Sequence, residues 1–165
     1  MKAIVAVDKK WGIGKNNDLL FSIPEDMKFF RETTKGKVVV MGSNTLRSFP
    51  NGNPLKNRTN IVLSSKLKRD DCIVVDSLDK LLAEVKKYPE EEVYLIGGAM
   101  LYKTLLPYCS EALVTKVDAD GSATVFFTDL DSEKQWTLTN SSDIIESNGY
   151  KFTFTTYKNL SVKGL

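Results

Sequence analysis

The strongest constraint on the fold of this chain is a series of short, continuously apolar segments that alternate with helical patterns. Lys2–Val7 is apolar nearly throughout, and Lys37–Met41 and Val93–Ile96 are similar. Because a strand that is buried on both faces must be apolar at successive positions, such runs favour a parallel sheet covered by helices. Further strands are predicted at Asn60–Leu63, Val74–Val75 and Ala112–Val117.

Helical segments separate these strands. Apolar residues at i, i+3, i+4 and i+7 predict a helix over Leu78–Val85, with Ser77 as its N-cap and Pro89 as its stop. A second helix is predicted over Ala99–Leu106, ended by Pro107. Strands alternating with helices indicate an α/β fold.

The C-terminal part alternates apolar and polar residues, which is typical of antiparallel strands. Trp136–Thr139 and Tyr150–Tyr157 are predicted to form an edge hairpin joined by a polar loop. We therefore predict one α/β domain over residues 1–165, with helices on both faces of a mostly parallel sheet of about eight strands. Three longer loops, where sites commonly lie, are predicted at Lys9–Ser22, Pro50–Asn57 and Asp118–Thr124.

Composition narrows the function. The formal net charge of +2 is too near neutral to indicate a nucleic acid or an anionic membrane as partner. No apolar run approaches the ~20 residues of a membrane span, and Cys72 and Cys109 lack metal-like spacing. We expect reduced thiols, a cytoplasmic protein and no metal site. The chain has no histidine, so acid–base chemistry must use another group, such as a perturbed carboxylate.

Asp26 is the carboxylate with the most informative surroundings. If a helix begins at Pro24, Asp26 shares a face with Phe29 and Phe30, while Glu25 lies on the other side. Apolar surroundings raise the pKa of a carboxyl group and make it a candidate for handling protons. The alternative is an acidic residue in the first helical turn that stabilises the helix N-terminus.

Two strand–glycine–helix junctions suggest a bound phosphate. Gly97–Gly98 lies between an apolar strand and a helix, and Gly42 precedes the cap-forming residues Ser43–Thr45. Such junctions let backbone N–H groups approach a diphosphate. Tight turns and ordinary helix caps use the same residues, so that alternative stays open. Neither junction matches the G-x-G-x-x-G fingerprint of dinucleotide-binding folds.

Two further groups of residues have both a functional and a structural interpretation. Ser64 and Ser65 end a strand beside the cations Lys66, Lys68 and Arg69, which suits a phosphate monoester but equally a solvated loop. Arg58 precedes a buried strand and has the geometry to bind a carboxylate through two nitrogens, although it also fits a surface position.

Together these residues resemble the dihydrofolate reductase family over essentially the whole chain. The segments that carry the resemblance are Val5–Val7, Gly12–Asn16 with Asp18 and Leu19, Ile23–Asp26, Met41–Gly42 with Thr45, Arg58 with Asn60, Leu63–Ser65, and Ile96–Gly98 with Tyr102. The resemblance implies NADPH-dependent reduction of 7,8-dihydrofolate to tetrahydrofolate, supplying one-carbon metabolism. It also implies a monomer and a target for antifolate inhibitors.

The resemblance further implies roles for individual residues. Asp26 would bind the pterin edge with Thr115 linked to it, and a proton would reach N5 as hydride reaches C6. Leu20 and Phe21 would complete the catalytic group. The implied substrate-binding residues are Ile4, Val5, Ala6, Asp26, Phe30, Phe49, Leu55, Arg58, Ile96, Tyr102 and Thr115. Among them, Ile4 and Ile96 would act through their carbonyls, and Arg58 would hold the α-carboxylate of the glutamate tail.

For NADPH the resemblance implies a contact surface from five segments of the chain, with a cis peptide between Gly97 and Gly98. The implied cofactor-binding residues are Ala6, Ile13, Gly14, Gly42, Ser43, Asn44, Thr45, Leu63, Ser64, Ser65, Lys66, Ile96, Gly97, Gly98, Ala99, Met100, Leu101 and Tyr102.

The chain departs from the family pattern at several places. Leu20 and Phe21 stand where the family usually has Pro-Trp, which removes an indole N–H and leads us to expect a more mobile loop. Ser43 and Asn44 replace residues that are often basic, so backbone N–H groups and lysines near Lys66 must meet the cofactor's charge. Ala123 stands where some relatives have a loop-latching aspartate.

Two alternative functions remain at this point. A related pyridine-nucleotide reductase, such as that of the riboflavin pathway, is disfavoured by the Ile23–Asp26 segment and by Arg58, which suit a pterin with a carboxylated tail. A non-catalytic folate- or nucleotide-binding module is favoured only by Phe21 in place of the family's tryptophan.

Overall fold

The computed structural model describes residues 1–16 and 18–165, and Asn17, within the predicted loop Lys9–Ser22, lies outside the described residues. The strands are β1 (Lys2–Val7), β2 (Gly12–Gly14), β3 (Val38–Gly42), β4 (Thr59–Leu63), β5 (Ile73–Val75), β6 (Val93–Gly97), β7 (Glu111–Val117), β8 (Val125–Phe126), β9 (Trp136–Ser141), β10 (Ile145–Ser147) and β11 (Tyr150–Asn159). The α-helices are α1 (Pro24–Thr34), α2 (Ser43–Ser48), α3 (Leu78–Val85) and α4 (Ala99–Leu105).

Nine strands of the described residues form one sheet in the order β10-β11-β7-β1-β6-β3-β4-β5, with β9 also paired to β11. The pairs from β7 through β1, β6, β3 and β4 to β5 are parallel. The pairs that involve β11 are antiparallel. The predicted fold class, a mostly parallel sheet with an antiparallel C-terminal edge, is therefore confirmed.

Helices cover both faces of the sheet. Successive residues of each buried strand point to opposite sides, so a continuously apolar strand needs a covering on each side. Val38 and Val40 of β3 pack in one cluster with Leu81 of α3 and Leu105 of α4. Val39 and Met41 of the same strand belong to a second cluster, which includes Leu46 of α2. The continuous apolar run of β3 is thus explained by burial against helices on each face.

Ser77 caps α3 as predicted, because its hydroxyl accepts a hydrogen bond from the Lys80 N–H at 3.2 Å. The helix ends at Val85, four residues before the predicted stop at Pro89, and the chain continues in turns. None of the helices in the described part of the chain is long and apolar enough to span a membrane.

The C-terminal edge differs in one respect from the predicted hairpin. Trp136–Ser141 does pair with Tyr150–Asn159. A further strand, Ile145–Ser147, lies between them in sequence and pairs with the start of β11. Asn148 and Gly149 form the two-residue turn, with φ of 54° and 81°. An Asn-Gly pair suits a turn with two positive φ angles, so this hairpin had a sequence signal within the predicted polar loop.

A second, two-stranded sheet joins two of the long loops. β2 pairs with β8, bringing the segment after β1 onto the segment after β7. The sequence did not predict this pairing. A Cβ atom placed on Gly12 would lie 2.3 Å from the Cβ of Ala123, so the two loops approach closely only because residue 12 is glycine.

The central strands β1 and β6 separate soon after they begin to pair. Their register runs only from Lys2 opposite Tyr94 to Ala3 opposite Leu95. On its other side β1 stays paired with β7 over six residues, as far as Val7. The backbones that follow Ala3 and Leu95 therefore border a gap near the carboxyl ends of parallel strands, where α/β proteins bind their ligands.

Candidate active site

Asp26 lies in the first turn of α1 and reaches the sheet beside this gap. Thr115 of β7 donates a hydrogen bond to Oδ1 of Asp26 over 2.6 Å. Thr115 itself is buried and stands in register with Ala6 of β1. Two residues 89 positions apart in sequence are thus joined beside β1, the strand that borders the gap.

The two adjacent carboxylates of α1 occupy different surroundings, as the sequence predicted. Glu25 is exposed, and a hydrogen bond with Ser147 lowers the pKa of its carboxyl group. Asp26 is half-buried, and loss of water raises the pKa of its carboxyl group, although the Thr115 hydroxyl acts in the opposite direction. Asp26 can therefore take up a proton more readily than an ordinary surface aspartate.

The alternative interpretation, that Asp26 stabilises the helix N-terminus, is supported only in part, because Asp26 lies in the first turn but makes no capping hydrogen bond. The N-cap residue of α1 is Ile23, which makes no side-chain capping hydrogen bond. The carboxylate of Asp26 is instead bonded across the molecule to Thr115. Its place near the positive end of the helix still favours a negative charge.

Tyr102 closes the far side of the gap. Its hydroxyl is buried and donates to the backbone carbonyl of Ile4 over 2.6 Å, and burial raises the pKa of the phenol. The Ile4 carbonyl, predicted to contact the pterin, therefore already accepts one hydrogen bond. A carbonyl oxygen has a second lone pair, so a further donor can still be accommodated.

Most of the apolar residues predicted to surround the substrate lie together. Phe49, Leu55 and Ile96 pack against one cluster on the α2 face of the sheet. The ring of Phe30 lies 5.9 Å from the guanidinium carbon of Arg58. Val5 is the exception, because its side chain packs in the cluster beneath α3 and α4, on the opposite face from Phe49 and Leu55.

Arg58 is half-buried and incompletely satisfied. Its Nε is buried and makes no hydrogen bond within the described residues. Burial and the nearby charge of Arg31 lower the pKa of the Arg58 guanidinium. A buried donor without a partner is costly, so this position is suited to an anion that is bound from outside.

The two strand–glycine–helix junctions lie side by side. Met41 at the end of β3 is in register with Gly97 at the end of β6, and the Gly97–Gly98 peptide is cis, as the resemblance implied. Gly97 has a φ of +131°, and a Cβ atom there would lie 3.2 Å from the Thr45 hydroxyl. Because a side chain would be strained and would close this space, the glycine keeps open a cradle between the junctions.

The cradle between the two junctions is lined by the N-termini of two helices. The first N–H groups of α2 and α4 follow Gly42 and Gly98, and such groups have no partner within their own helix. Diphosphate oxygens can accept from them. The residues present therefore fit a dinucleotide.

The phosphate-binding group predicted after β4 is only partly available. The hydroxyl of Ser64 accepts from the N–H groups of Lys66 and Leu67, at 3.3 and 3.1 Å, and so shapes the turn. Arg69, counted among the basic cluster, is bonded to Asp71 through two nitrogens and to the Gly52 carbonyl. Ser65, Lys66 and Lys68 are exposed, and they remain candidates for a phosphate.

Leu20 and Phe21, predicted to be part of the catalytic group, are held by neighbouring loops. A Cβ atom on Gly121 would lie 2.9 Å from Cδ1 of Leu20, so the loop that contains Gly121 contacts Leu20. The ring of Phe21 packs edge-on against Tyr150, with 4.9 Å between the ring centroids. Asn148 donates a hydrogen bond to the Ser22 carbonyl at 2.7 Å. Their catalytic role stays a prediction.

Asp8 is a residue that the sequence analysis missed. It is buried, and its carboxylate accepts from the N–H groups of Lys10, Gly12 and Gly121, at 2.8, 2.7 and 3.1 Å. These bonds join the loop after β1 to the loop after β7. An aspartate followed closely by glycine at a strand end is a recognisable turn signal, but its bond to Gly121 is not local.

A family model described as "Dihydrofolate reductase" matches residues 1–159 of the chain. The dihydrofolate reductase of Bacillus subtilis is 37% identical over 167 residues, covering 98% of this chain and 96% of that protein. The dihydrofolate reductase of Haemophilus influenzae is 36% identical over 136 residues, covering 82% of each.

Among solved structures, dihydrofolate reductase from Enterococcus faecalis, complexed with NADP(H) and RAB-propyl, is similar with a TM-score of 0.83. The two chains are 32% identical, and the match covers 96% of this chain and 95% of the other. Sequence and fold thus agree on the same family.

Replacing Asp8 with alanine tests its part in joining the two loops. We expect the Asp8→Ala variant to lose about 3 kcal/mol of unfolding free energy, because three N–H groups lose their acceptor. Urea unfolding measures this. The matched control, Asp70→Ala at an exposed position, should change by less than ~0.5 kcal/mol. Equal losses in both variants would contradict the assignment.

Replacing Asp26 with asparagine tests the desolvation of its carboxylate. Since the folded pKa lies above the unfolded value, ionisation weakens the fold, and wild-type stability falls as pH rises through the folded pKa. We therefore expect Asp26→Asn to be more stable than wild type at pH 7. The difference should shrink on acidification and vanish below about pH 3.9, the ordinary aspartate value. Urea titrations at several pH values measure it, and a less stable variant at pH 7 would contradict the expectation.

Proposed function

Because the chain belongs to the dihydrofolate reductase family, we infer that its gap binds 7,8-dihydrofolate beside NADPH. The chain is an NADPH-dependent dihydrofolate reductase, which forms 5,6,7,8-tetrahydrofolate by hydride transfer to C6 and protonation of N5. The two alternatives considered from sequence, a riboflavin-pathway reductase and a non-catalytic module, give way to this assignment. The observation that carries the site is the half-buried Asp26 carboxylate at the edge of the gap.

Asp26 is the group that we assign to the pterin. Its carboxylate accepts hydrogen bonds from N3 and the 2-amino group, while the Thr115 hydroxyl fixes its orientation. The break in pairing between β1 and β6 after Ala3 and Leu95 supports this placement, since Ile4 and Ile96 border the gap there. Because burial raises the pKa of Asp26, its carboxyl group is suited to assist proton delivery to N5 through water.

NADPH, when bound, supplies the hydride that reduces C6. We assign its diphosphate to the N–H groups after Gly42 and Gly98, on either side of Thr45. Its nicotinamide carboxamide is assigned to the backbone of Ala6 and Ile13. Ser65 and Lys66 are the exposed groups best suited to the 2′-phosphate, because the Ser64 hydroxyl is occupied by its own turn.

Arg58 is assigned to the α-carboxylate of the glutamate tail. Its unpartnered, buried Nε supports this, and so does the contact with Phe30, which we place against the aminobenzoyl ring. Phe49, Leu55 and Ile96 form the wall on the same face of the sheet. Leu20 and Phe21 stay assigned to the catalytic group, on the loop that precedes α1.

We also propose that the chain acts as a monomer, in the cytoplasm, as one domain over residues 1–165. The continuity of the sheet from β1 to β11 supports a single domain. Cys72 and Cys109 are both free thiols, which is compatible with a reducing compartment.

The Asp26→Asn variant tests the catalytic assignment. We expect turnover at pH 7 to fall by ~10²–10⁴-fold, the usual effect of losing a proton-handling group. Part of the activity should return at low pH, where dihydrofolate arrives already protonated. The decrease in NADPH absorbance measures both. Glu25→Gln is the matched control, because it removes the adjacent, exposed carboxylate and should keep wild-type turnover. A near-wild-type rate for Asp26→Asn would refute the assignment.

The Thr115→Val variant tests the hydrogen bond to Asp26 separately. The hydroxyl lowers the pKa of Asp26, so its removal should raise that pKa further. We expect the midpoint of the pH dependence of kcat/KM to move to higher pH, with the direction of the profile unchanged. An unmoved midpoint would show that Asp26 is not the group whose titration controls the rate. Thr104→Val, at an exposed position of α4, is the control.

A further inference from the structure

Lys116 of β7 is the centre of a charged cluster that the proposed chemistry does not use. Its Nζ donates to Oδ2 of Asp131 and to the Tyr157 hydroxyl, each at 3.1 Å. The Tyr157 hydroxyl donates in turn to Oδ1 of Asp131 at 2.7 Å. Lys116 and Asp131 are partly exposed, whereas Tyr157 is buried. These three residues, the Lys116 cluster, therefore hold one another in a closed ring of hydrogen bonds.

The ammonium group of the Lys116 cluster lies over the indole of Trp11. Its Nζ is 5.1 Å from the centroid of the Trp11 ring, which is a cation–π distance. The same indole packs almost parallel to Phe127, with 6.3 Å between the centroids, and edge-on against Tyr157 at 5.9 Å. Side chains from β7, from β11 and from the residue after β8 therefore contact this one buried indole.

Trp11 has a backbone conformation that needs such contacts. Its φ is +65°, in the left-handed region that bulky residues rarely adopt. A conformation of this kind persists only where the surrounding structure holds it. The contacts of the indole hold the side chain, and the Trp11 carbonyl accepts from the Phe127 N–H at 2.8 Å. The position of Trp11 therefore depends on residues far away in sequence, Lys116 among them.

The position of Trp11 bears on the cofactor and not on the pterin. Strand β2 begins at Gly12, the residue after Trp11, and contains Ile13, whose backbone we assign to the nicotinamide carboxamide. Ile13 also packs against the hydrophobic cluster that includes Trp11. Thr115, the partner of Asp26, and Lys116 are neighbours in β7 and point to opposite faces of the sheet. A displaced Trp11 would therefore move the carboxamide site before it affected Asp26.

We propose that Lys116, held by Asp131 and Tyr157, is a positioning residue for the nicotinamide end of NADPH and acts through Trp11 and β2. The inference rests on the proposed function, in which the backbone of Ile13 meets the carboxamide. Molecules in which β2 is displaced cannot hold the nicotinamide in place. The apparent affinity for NADPH then falls in proportion to the fraction of molecules that keep the correct position.

The strength of a cation–π contact sets the expected effect, since such a contact corresponds to about 2- to 30-fold in an equilibrium constant. We expect Lys116→Gln to raise the Kd for NADPH by about 2- to 30-fold and the Kd for dihydrofolate by less than about 2-fold. Lys116→Arg should restore the wild-type Kd for NADPH, because a guanidinium can stack on the indole and still bond to Asp131.

Isothermal titration calorimetry with NADPH alone and with dihydrofolate alone measures both Kd values without turnover. Lys158→Gln is the matched control, because it removes an exposed lysine next to Tyr157 on β11 and should leave both Kd values unchanged. A purely structural role for Lys116 would reduce the number of binding sites that are titrated, through loss of folded protein, and would leave both Kd values as in wild type.

A second variant keeps the test decisive if Lys116→Gln does not fold. Asp131→Asn removes the charge that holds the ammonium group, at an exposed position and with every aromatic ring intact. It should also raise the Kd for NADPH and not the Kd for dihydrofolate.

Three results would overturn the positioning role while the proposed function stands. One is an unchanged Kd for NADPH in Lys116→Gln, or in Asp131→Asn where only that variant folds. Another is an equal loss of affinity for both ligands. The third is a Lys116→Arg variant that binds NADPH as weakly as Lys116→Gln. Absence of NADPH oxidation by wild type with dihydrofolate would instead overturn the proposed function, and this inference with it.

Discussion

The site depends on a single break in backbone pairing at the centre of the sheet. β1 and β6 share only two registered residues before they part, while β7 and β3 continue to hold their outer sides. Buried N–H and C=O groups need partners, so a gap between two central strands favours a flat, polar molecule that can supply them. The gap, the two glycine junctions and the carboxylate of α1 all lie near this break.

Within this arrangement two opposing effects act on one carboxylate. Removal of water raises the pKa of Asp26, and the hydrogen bond from Thr115 lowers it, with the first effect the larger. Glu25, one residue earlier, is exposed, and its hydrogen bond with Ser147 lowers the pKa of its carboxyl group. The helical repeat alone turns Asp26 towards the core and Glu25 towards solvent. Position on a helix therefore decides which of the two adjacent acids is buried and has a raised pKa.

Sequence reasoning succeeded where a single local rule decides the outcome. Lys2–Val7 was predicted because a strand that is buried on both faces must be apolar, and that strand is central in the sheet. It failed where distant segments decide. The pairing of β2 with β8 and the bond from Gly121 to Asp8 join residues more than a hundred positions apart. The sequence likewise could not show that Arg69 is bonded to Asp71 and Gly52 and is not a free member of a basic cluster.

The candidate site was predicted from the family resemblance and not from local patterns alone. Local patterns left Asp26, Gly97 and Arg58 each with a plain structural alternative, and only their joint resemblance to one family favoured the functional one. The structure now supplies a physical reason for each: a link to Thr115, a positive φ beside Thr45, and a buried nitrogen without a partner. The face of the sheet on which Val5 packs could not be predicted from the sequence, because both faces of β1 are apolar.

The close contact between the loops that follow β1 and β7 has a consequence for how this sequence can change over evolution. A Cβ atom on Gly12 would meet both the Cβ of Ala123 and the carboxylate of Asp8. Position 123, where some relatives carry an aspartate, therefore lies beside a carboxylate that already binds the loop N–H groups. A second carboxylate at position 123 would repel that of Asp8, and a residue larger than glycine at position 12 would push the two loops apart. Neither loop can therefore change at these positions without a change in the other.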